Sequence, residues 1–119
     1  MNKKIGLERL KSKNEIDLVF KKGKSVRSGA LIMHFFNPKG ESRKTHIGVS
    51  VSKKSILLSY RRNRIKRQIR AIIHQQEKDM LYSLPPGFYM VLYKGKFGVS
   101  SKSLIQDFQG LINSFARQG

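Results

Sequence analysis

The fold is decided by residues 45–73, THIGVSVSKKSILLSYRRNRIKRQIRAII, in which two hydrophobic periods follow one another. From residue 45 to 52, apolar and polar side chains alternate, and this period of two predicts a half-buried β-strand. From residue 60 to 78, isoleucines recur every three or four positions, which predicts a long helix with one core-facing stripe. That stripe consists of Ile65, Ile69, Ile72 and Ile73.

The segments on either side complete an α+β pattern. A first helix begins after Ser12, whose capping partner Glu15 follows three residues later, and ends at Gly23. Residues 25–37 predict one or two strands, and residues 88–93 predict a buried strand.

A final helix begins after Ser100 or Ser101. The predicted order is therefore α-β-β-(β)-α-β-α, and the strand, long helix and strand in succession predict a βαβ crossover through the basic helix. A chain of 119 residues fits a single small domain over 1–119, with residues 1–11 flexible.

Composition excludes several classes of protein. There is no cysteine, which rules out disulfides and thiolate chemistry. No stretch is apolar for long enough to cross a membrane, and residues 1–30 lack the apolar core of a secretory signal, so we expect no membrane association and a cytoplasmic location.

Positive charge is concentrated in the first part of the chain. The formal net charge is +18. Residues 1–70 contain 20 Lys and Arg against 4 acidic residues, a net of +16, whereas residues 71–119 contain 5 against 3, a net of +2. Self-repulsion of this size destabilises a compact state, so the pattern favours a polyanionic partner.

No catalytic constellation is visible. The 7 acidic residues are scattered, and His34, His46 and His74 lack the spacing of metal ligands. Nucleotide-binding glycine loops and the Gly-x-Ser-x-Gly motif of hydrolases do not occur. We therefore expect no catalytic or metal-binding residues on the protein.

The long helix has cations over its whole solvent side. Lys66 and Arg70 lie next to the edge of the isoleucine stripe, and Arg64 lies nearly opposite it. Like charges stack one turn apart at Arg62, Lys66 and Arg70, which costs stability unless an anion binds. Arginine predominates, and its planar guanidinium suits bidentate phosphate contacts.

Three phenylalanines precede this helix. Phe35 and Phe36 are adjacent in a strand, so they face opposite sides of the sheet and at least one belongs to the core. For Phe20 the sequence leaves two alternatives open, core packing or an exposed platform for base stacking.

The motif Val51-Ser-Lys-Lys54 followed by Arg62-Asn-Arg-Ile-Lys-Arg67 resembles the signature of the protein subunit of bacterial ribonuclease P. Residues 10–23, with Phe20-Lys-Lys-Gly23, are similar to the opening helix of that family. Two features differ from the family pattern. The linker 55–61 lacks glycine and is one residue longer, and Ile16 and His34 stand where aromatic residues are common.

The resemblance implies a fold like domain 2 of ribosomal protein S5. It also implies removal of the 5′ leader from precursor tRNA, with catalysis by an RNA subunit that uses Mg²⁺, and one protein per RNA. Carried over residue by residue, it assigns contacts with the catalytic RNA subunit to Lys53, Lys54, Arg61, Arg62, Asn63, Arg64 and Arg67.

A second set of residues is expected to border a groove for the single-stranded leader of precursor tRNA, with an apolar floor and a cationic wall. This expectation requires the first helix and the long helix to pack against one sheet. The set consists of Ile16, Phe20, Ile32, His34, Lys66 and Arg70.

Two alternatives remain open at this point. A structural ribosomal protein is also small, basic and without catalytic residues. A DNA-binding regulator would insert the long helix into the major groove, although no partner helix of a helix-turn-helix motif precedes it.

Overall fold

A computed structural model describes residues 7–10, 12–37 and 45–118, and these residues form five strands and four helices. In chain order they are β1 (Leu7–Arg9), α1 (Lys13–Lys22), β2 (Lys24–Ser28), β3 (Leu31–Phe36), β4 (Thr45–Val51), α2 (Ser59–Gln75), α3 (Glu77–Ser83), β5 (Gly87–Tyr93) and α4 (Ser101–Gln118).

The strands form one mixed sheet in the order β1-β4-β5-β3-β2. β4 is parallel to both of its neighbours, β1 and β5, whereas β3 is antiparallel to β5 and to β2. Since β4 and β5 are adjacent and parallel, the chain must cross over between them, and α2 and α3 make this connection. The predicted α+β class and βαβ crossover are confirmed.

One face of the sheet, here called the core face, carries the main hydrophobic core. Alternate strand residues such as Met33, Val51 and Tyr89 point to this face and are buried against α2 and α4. The four predicted isoleucines of α2 all lie in this core. Phe35 is buried here and Phe36 points to the other face, as the strand alternation requires.

The other face, here called the α1 face, is only partly covered. Val19 of α1 packs with Leu10 and Met90, and Phe36 and Phe88 flank this smaller cluster. α1 contacts β3 and β5. The strand residues that point to this face are mostly half-buried rather than buried.

Helix ends follow the local signals in the sequence. The Ser12 hydroxyl accepts a hydrogen bond from the Glu15 N–H at 3.4 Å, and the Ser100 hydroxyl accepts one from the Ser103 N–H at 3.1 Å. Gly23 ends α1 with φ −83°, so left-handed backbone is not what requires glycine there. A Cβ on Gly23 would lie 2.3 Å from the carbonyl oxygens of Val19 and Phe35, and this close approach is the reason for glycine.

Two expectations about the elements need correction. Residues 1–11 are predicted to be flexible, but Leu7–Arg9 form β1, and the Leu10 N–H donates to the Ile47 carbonyl at 3.0 Å. Residues 1–6 and 11 lie outside the described residues. The long helix ends at Gln75, and a separate helix, α3, follows it and buries Met80. Of the one or two strands predicted within residues 25–37, the structure has two, which form a hairpin.

Truncation of the isoleucine stripe should destabilise the domain. Ile69 is 1% exposed, so Ile69→Ala is expected to lower the free energy of unfolding by about 2–5 kcal/mol, because it removes buried methyl groups and leaves a cavity. Leu57→Ala is the matched control, since Leu57 is 83% exposed. We expect this control to change stability by less than about 0.5 kcal/mol in urea unfolding followed by circular dichroism. Equal losses in the two variants would contradict the core assignment.

Candidate nucleic-acid interface

The exposed side of α2 is a continuous cationic surface. Asn63, Arg64 and Arg67 are exposed on the side opposite the buried isoleucines. Lys66 is half-buried and Arg70 exposed, on successive turns beside the stripe. α2 contains no acidic residue, so this surface offers guanidinium and ammonium donors without internal neutralisation.

The linker before α2 is held in place by backbone contacts. The Ile56 side chain is buried, and its N–H donates to the Ser52 carbonyl at 3.1 Å. The Ser52 hydroxyl accepts from the Lys54 N–H at 3.2 Å. These contacts fix a turn that presents Lys53 and Lys54, both exposed, beside the start of α2.

Arg62 has a role that its place in the motif does not reveal. Its Nη1 donates to the carbonyl oxygens of Ile56 and Leu57, each at 2.8 Å. The guanidinium thereby satisfies two carbonyls of the linker and ties the linker to the first turn of α2. Arg62 is thus a positioning residue for the turn that carries Lys53 and Lys54, and contact with RNA through its other donors stays a prediction.

A second surface lies on the α1 face. Phe20 is 43% exposed, and its ring centroid lies 4.8 Å from that of His34 on β3. The Phe20 ring therefore stands at the surface beside a second ring and is not part of the core, and base stacking on it stays a prediction. Ile32, two residues before His34, points to the same face.

The strand register extends this surface across the sheet. Ile32 is paired with Leu92 and with Arg27, and Leu92 is paired with Ser50. These side chains form a row next to the part of the sheet that α1 covers, and each is half-buried or exposed. We call the surface made by this row, together with Phe20 beside it, the α1 groove.

A cavity of about 630 Å³ lies at the edge of β4, just past the end of its pairing with β1. Ile16 of α1 lines it on one side of the sheet and Arg70 of α2 on the other. Arg9 lines the same cavity. Partial desolvation, and then the charge of Arg9, lower the pKa of Arg70. The acidic Glu77 also lines this cavity.

The six residues predicted to bind the leader thus fall into two groups. Phe20 contacts His34, with Ile32 on the same face, while Ile16 and Arg70 share the cavity, and Lys66 precedes Arg70 by one turn. α2 packs on the core face, opposite α1, since its isoleucine stripe is buried in the larger core. Its cations therefore approach the α1 face around the edge of β4, and do not form a wall on that face.

Sequence reasoning missed three cations at these surfaces. Arg27 lies in the floor of the α1 groove, Arg9 lines the cavity, and the charge of Lys94 acts on His34. Arg9 and Lys94 come from elements distant in the chain from Arg70 and His34, and Arg27 reaches the row through the register of the β2–β3 hairpin. The excess of positive charge in residues 1–70 was the one signal that included Arg9 and Arg27.

Within residues 7–10, 12–37 and 45–118, no group of three or more His, Cys, Asp or Glu side chains is arranged to hold a metal ion. In the same residues, no helix is long and apolar enough to span a bilayer.

The sequence of this chain matches that of one known protein family. The family model described as Ribonuclease P matches residues 6–116, which is most of the chain. The chain belongs to the ribonuclease P family. The resemblance carried by residues 51–67 is therefore confirmed, and the match does not favour a structural ribosomal protein.

Relatives and solved structures agree with this family. The ribonuclease P protein component of Shouchella clausii is 37% identical over 73 residues, which span 61% of this chain and 58% of the relative's length. The RNase P protein of Staphylococcus aureus superposes with a TM-score of 0.71 at 22% identity, covering 89% of this chain and 93% of that one. The RNase P protein from Thermotoga maritima gives a TM-score of 0.71 at 23% identity, covering 92% of this chain and 96% of that one. The fold is thus shared with these family members.

The His34 environment in this family member predicts a pH dependence. Burial, and then the charge of Lys94, lower the pKa of His34 below its usual value of 6.5, so the ring is neutral at neutral pH. Because the folded state binds this proton less readily than the unfolded chain does, stability is greatest above pH 6.5 and falls as the pH drops towards the folded-state pKa. An NMR titration of the His34 ring should report the lowered pKa.

Lys94→Gln should raise the pKa of His34 without restoring it to the usual value, since desolvation is the larger cause. Lys102→Gln, on α4, is the matched control and should leave it unchanged. A His34 pKa at or above 6.5 in the unaltered protein would contradict the assignment.

Proposed function

We propose that this chain is the protein component of ribonuclease P, which binds the catalytic RNA subunit and the 5′ leader of precursor tRNA. The observation that carries the proposal is the family match over residues 6–116. The two separate cationic surfaces of the fold support it, because a holoenzyme of this kind requires contact with two RNAs.

In this proposal the surface of α2 and the linker turn contact the RNA subunit. Arg64 and Arg67 stand on the exposed side of α2, Lys53 and Lys54 on the adjacent turn. Each phosphate that such a residue neutralises releases condensed counterions, so the interaction is strong at low salt and weakens as salt rises. In this proposal one protein binds one RNA subunit through this surface.

The α1 groove and the adjoining cavity are proposed to bind the leader. A single strand stacks its bases on aromatic and apolar side chains and sets its phosphates against cations. Phe20, neutral His34 and Ile32 supply the stacking surface. Arg70 and Arg9 supply cations at the edge of the sheet where the strand would leave the groove.

The chemistry of cleavage is assigned to the RNA subunit. Hydrolysis of the phosphodiester bond would leave a 5′ phosphate on the tRNA, and Mg²⁺ bound by the RNA would assist that step. In this proposal the protein binds and orients the RNAs and neutralises their charge. A cytoplasmic location, with precursor tRNA as the substrate, belongs to the same proposal.

Reconstitution tests the proposal. The RNA-free protein is mixed with a bacterial ribonuclease P RNA and precursor tRNA at a Mg²⁺ concentration where the RNA alone is slow. We expect cleavage at the mature 5′ end by the mixture and none by the protein alone. Cleavage by the protein alone, or no stimulation of the RNA, would refute the assignment. Co-purification with ribosomal subunits, instead of one RNA of several hundred nucleotides, would revive the ribosomal alternative.

Leader length tests the α1 groove. Holoenzyme affinity is measured for precursor tRNA with a long leader, with a leader of a single nucleotide, and for mature tRNA. Phe20→Ala and Arg70→Ala should each reduce the advantage of the long leader by about tenfold, since stacking or a phosphate contact is lost, and spare mature tRNA.

Lys102→Ala, which removes an exposed cation on α4, is the control and should leave the difference unchanged. Phe20 is largely exposed, so its truncation should not unfold the domain. Equal losses for all three RNAs would show that the groove does not hold the leader.

A further inference from the structure

An exposed apolar patch lies at the start of α2, outside both surfaces described above. Leu57 is 83% exposed, Tyr60 61%, Leu58 47% and Phe97 38%, which is unusual for side chains of this size. We call these four residues, together with Arg61, the linker patch. It joins the linker before α2 to the turn that follows β5.

The centre of the linker patch is a stack of one guanidinium and two rings. The Arg61 Cζ lies 4.8 Å from the Phe97 ring centroid and 5.8 Å from that of Tyr60. The Arg61 Nε also donates to the Tyr60 hydroxyl at 3.3 Å. Cation–π contacts at exposed sites contribute about 0.5–1 kcal/mol each, so they favour this arrangement of the rings before any partner binds.

Both supports of the stack are anchored to the core. On the linker side, Arg62 donates hydrogen bonds to the carbonyls of Ile56 and Leu57. The Ile56 side chain is buried in the core, whereas the Leu57 side chain is exposed. On the other side, the buried Tyr93 donates its hydroxyl to the Lys96 carbonyl at 2.6 Å, directly before Phe97. A preorganised surface loses little conformational entropy on binding.

The charge around the linker patch selects the class of partner. The two stretches that build it, residues 53–76 and 94–106, contain 11 Lys and Arg and no Asp or Glu. A second copy of this chain, with net charge +18, would bring like charges together at the patch. An anion that also has flat apolar surface fits both features, and a nucleic acid with an unpaired base is such a partner.

We propose that the linker patch is a base-stacking site for an unpaired nucleotide of RNA, with the base on the Tyr60–Arg61–Phe97 stack and its phosphates against the neighbouring cations. On the proposed function, the RNA is the catalytic RNA subunit, so this identity rests on that proposal. The leader of precursor tRNA is assigned to the α1 face, from which the patch is separate.

Affinity and its salt dependence distinguish stacking from charge pairing. Tyr60→Ala and Phe97→Ala are expected to weaken binding of a bacterial ribonuclease P RNA by about tenfold, with the slope of log K against log salt unchanged. Tyr60→Phe should bind like the unaltered protein, because it keeps the ring. Arg64→Ala, outside the patch, should instead lower the slope by about one, because it removes a phosphate contact.

A fluorescent reporter tests the contact directly, since the chain contains no tryptophan. In Tyr60→Trp the indole should be quenched, and shielded from iodide, when the RNA subunit or a single-stranded oligoadenylate binds. Phe97→Ala in the same background should reduce the quenching. Gln109→Trp, at an exposed position of α4 outside both the patch and the cationic side of α2, is the control and should respond less.

The outcomes separate this inference from the proposed function. Unchanged affinity and fluorescence at position 60, with a loss in Arg64→Ala, would overturn the stacking site and leave the function standing. If the RNA subunit does not bind but oligoadenylate quenches the indole, the site stands and the function fails. Self-association of the unaltered protein at high salt that Leu57→Ala abolishes would assign the patch to a second copy and overturn the inference.

Discussion

The parallel pairing of β4 with β5 is the constraint on which the rest of the structure depends. Two adjacent parallel strands cannot be joined by a tight turn, so the chain must leave the sheet and return along one face. α2 and α3 are that return path, and the isoleucine stripe is what attaches α2 to the core face. Once the stripe is buried, the opposite side of α2 faces solvent, and the cations on it are presented together.

This arrangement separates stability from function along one helix. Ile65 and Ile69 are almost fully buried, while Arg64 and Arg67, their immediate or near neighbours in sequence, are exposed. The isoleucines stabilise the core without help from the cations. Since α2 contains no acidic residue, its cations break no ion pair within the helix when an anion binds. The cost is repulsion among like charges in the free protein, which a polyanion removes.

The partial covering of the α1 face follows from the short α1. Ten residues of helix pack over Met90 and Phe36 but leave the row that includes Ile32 and Leu92 accessible. Because the row is short and flanked by polar side chains, leaving it uncovered exposes only a small apolar area, and the free-energy cost is modest. The α1 groove and the linker patch therefore provide apolar stacking surface in two places on a protein that is otherwise strongly charged, and each place has cations beside it.

The sequence by itself determined the features that depend on neighbours three or four residues apart. The stripe of α2, the alternation of β4 and the cap at Ser12 were predicted, because helical and strand periods and caps are local. For the last helix the sequence offered Ser100 or Ser101, and the structure has the cap at Ser100. The cationic side of α2 follows from the same period. The family signature could also be recognised in residues 51–67, since it is one continuous segment.

Only the tertiary structure decided which distant segments meet. A three-residue strand has no period to detect, so β1 and the position of Arg9 beside Arg70 depend on pairing with β4. The placement of α1 and α2 on opposite faces depends on the strand order. The contact of Arg61 with Phe97 requires two segments far apart in the chain to be folded together. Such contacts are set by register and packing across the whole sheet, and residue spacing along the chain does not reveal them.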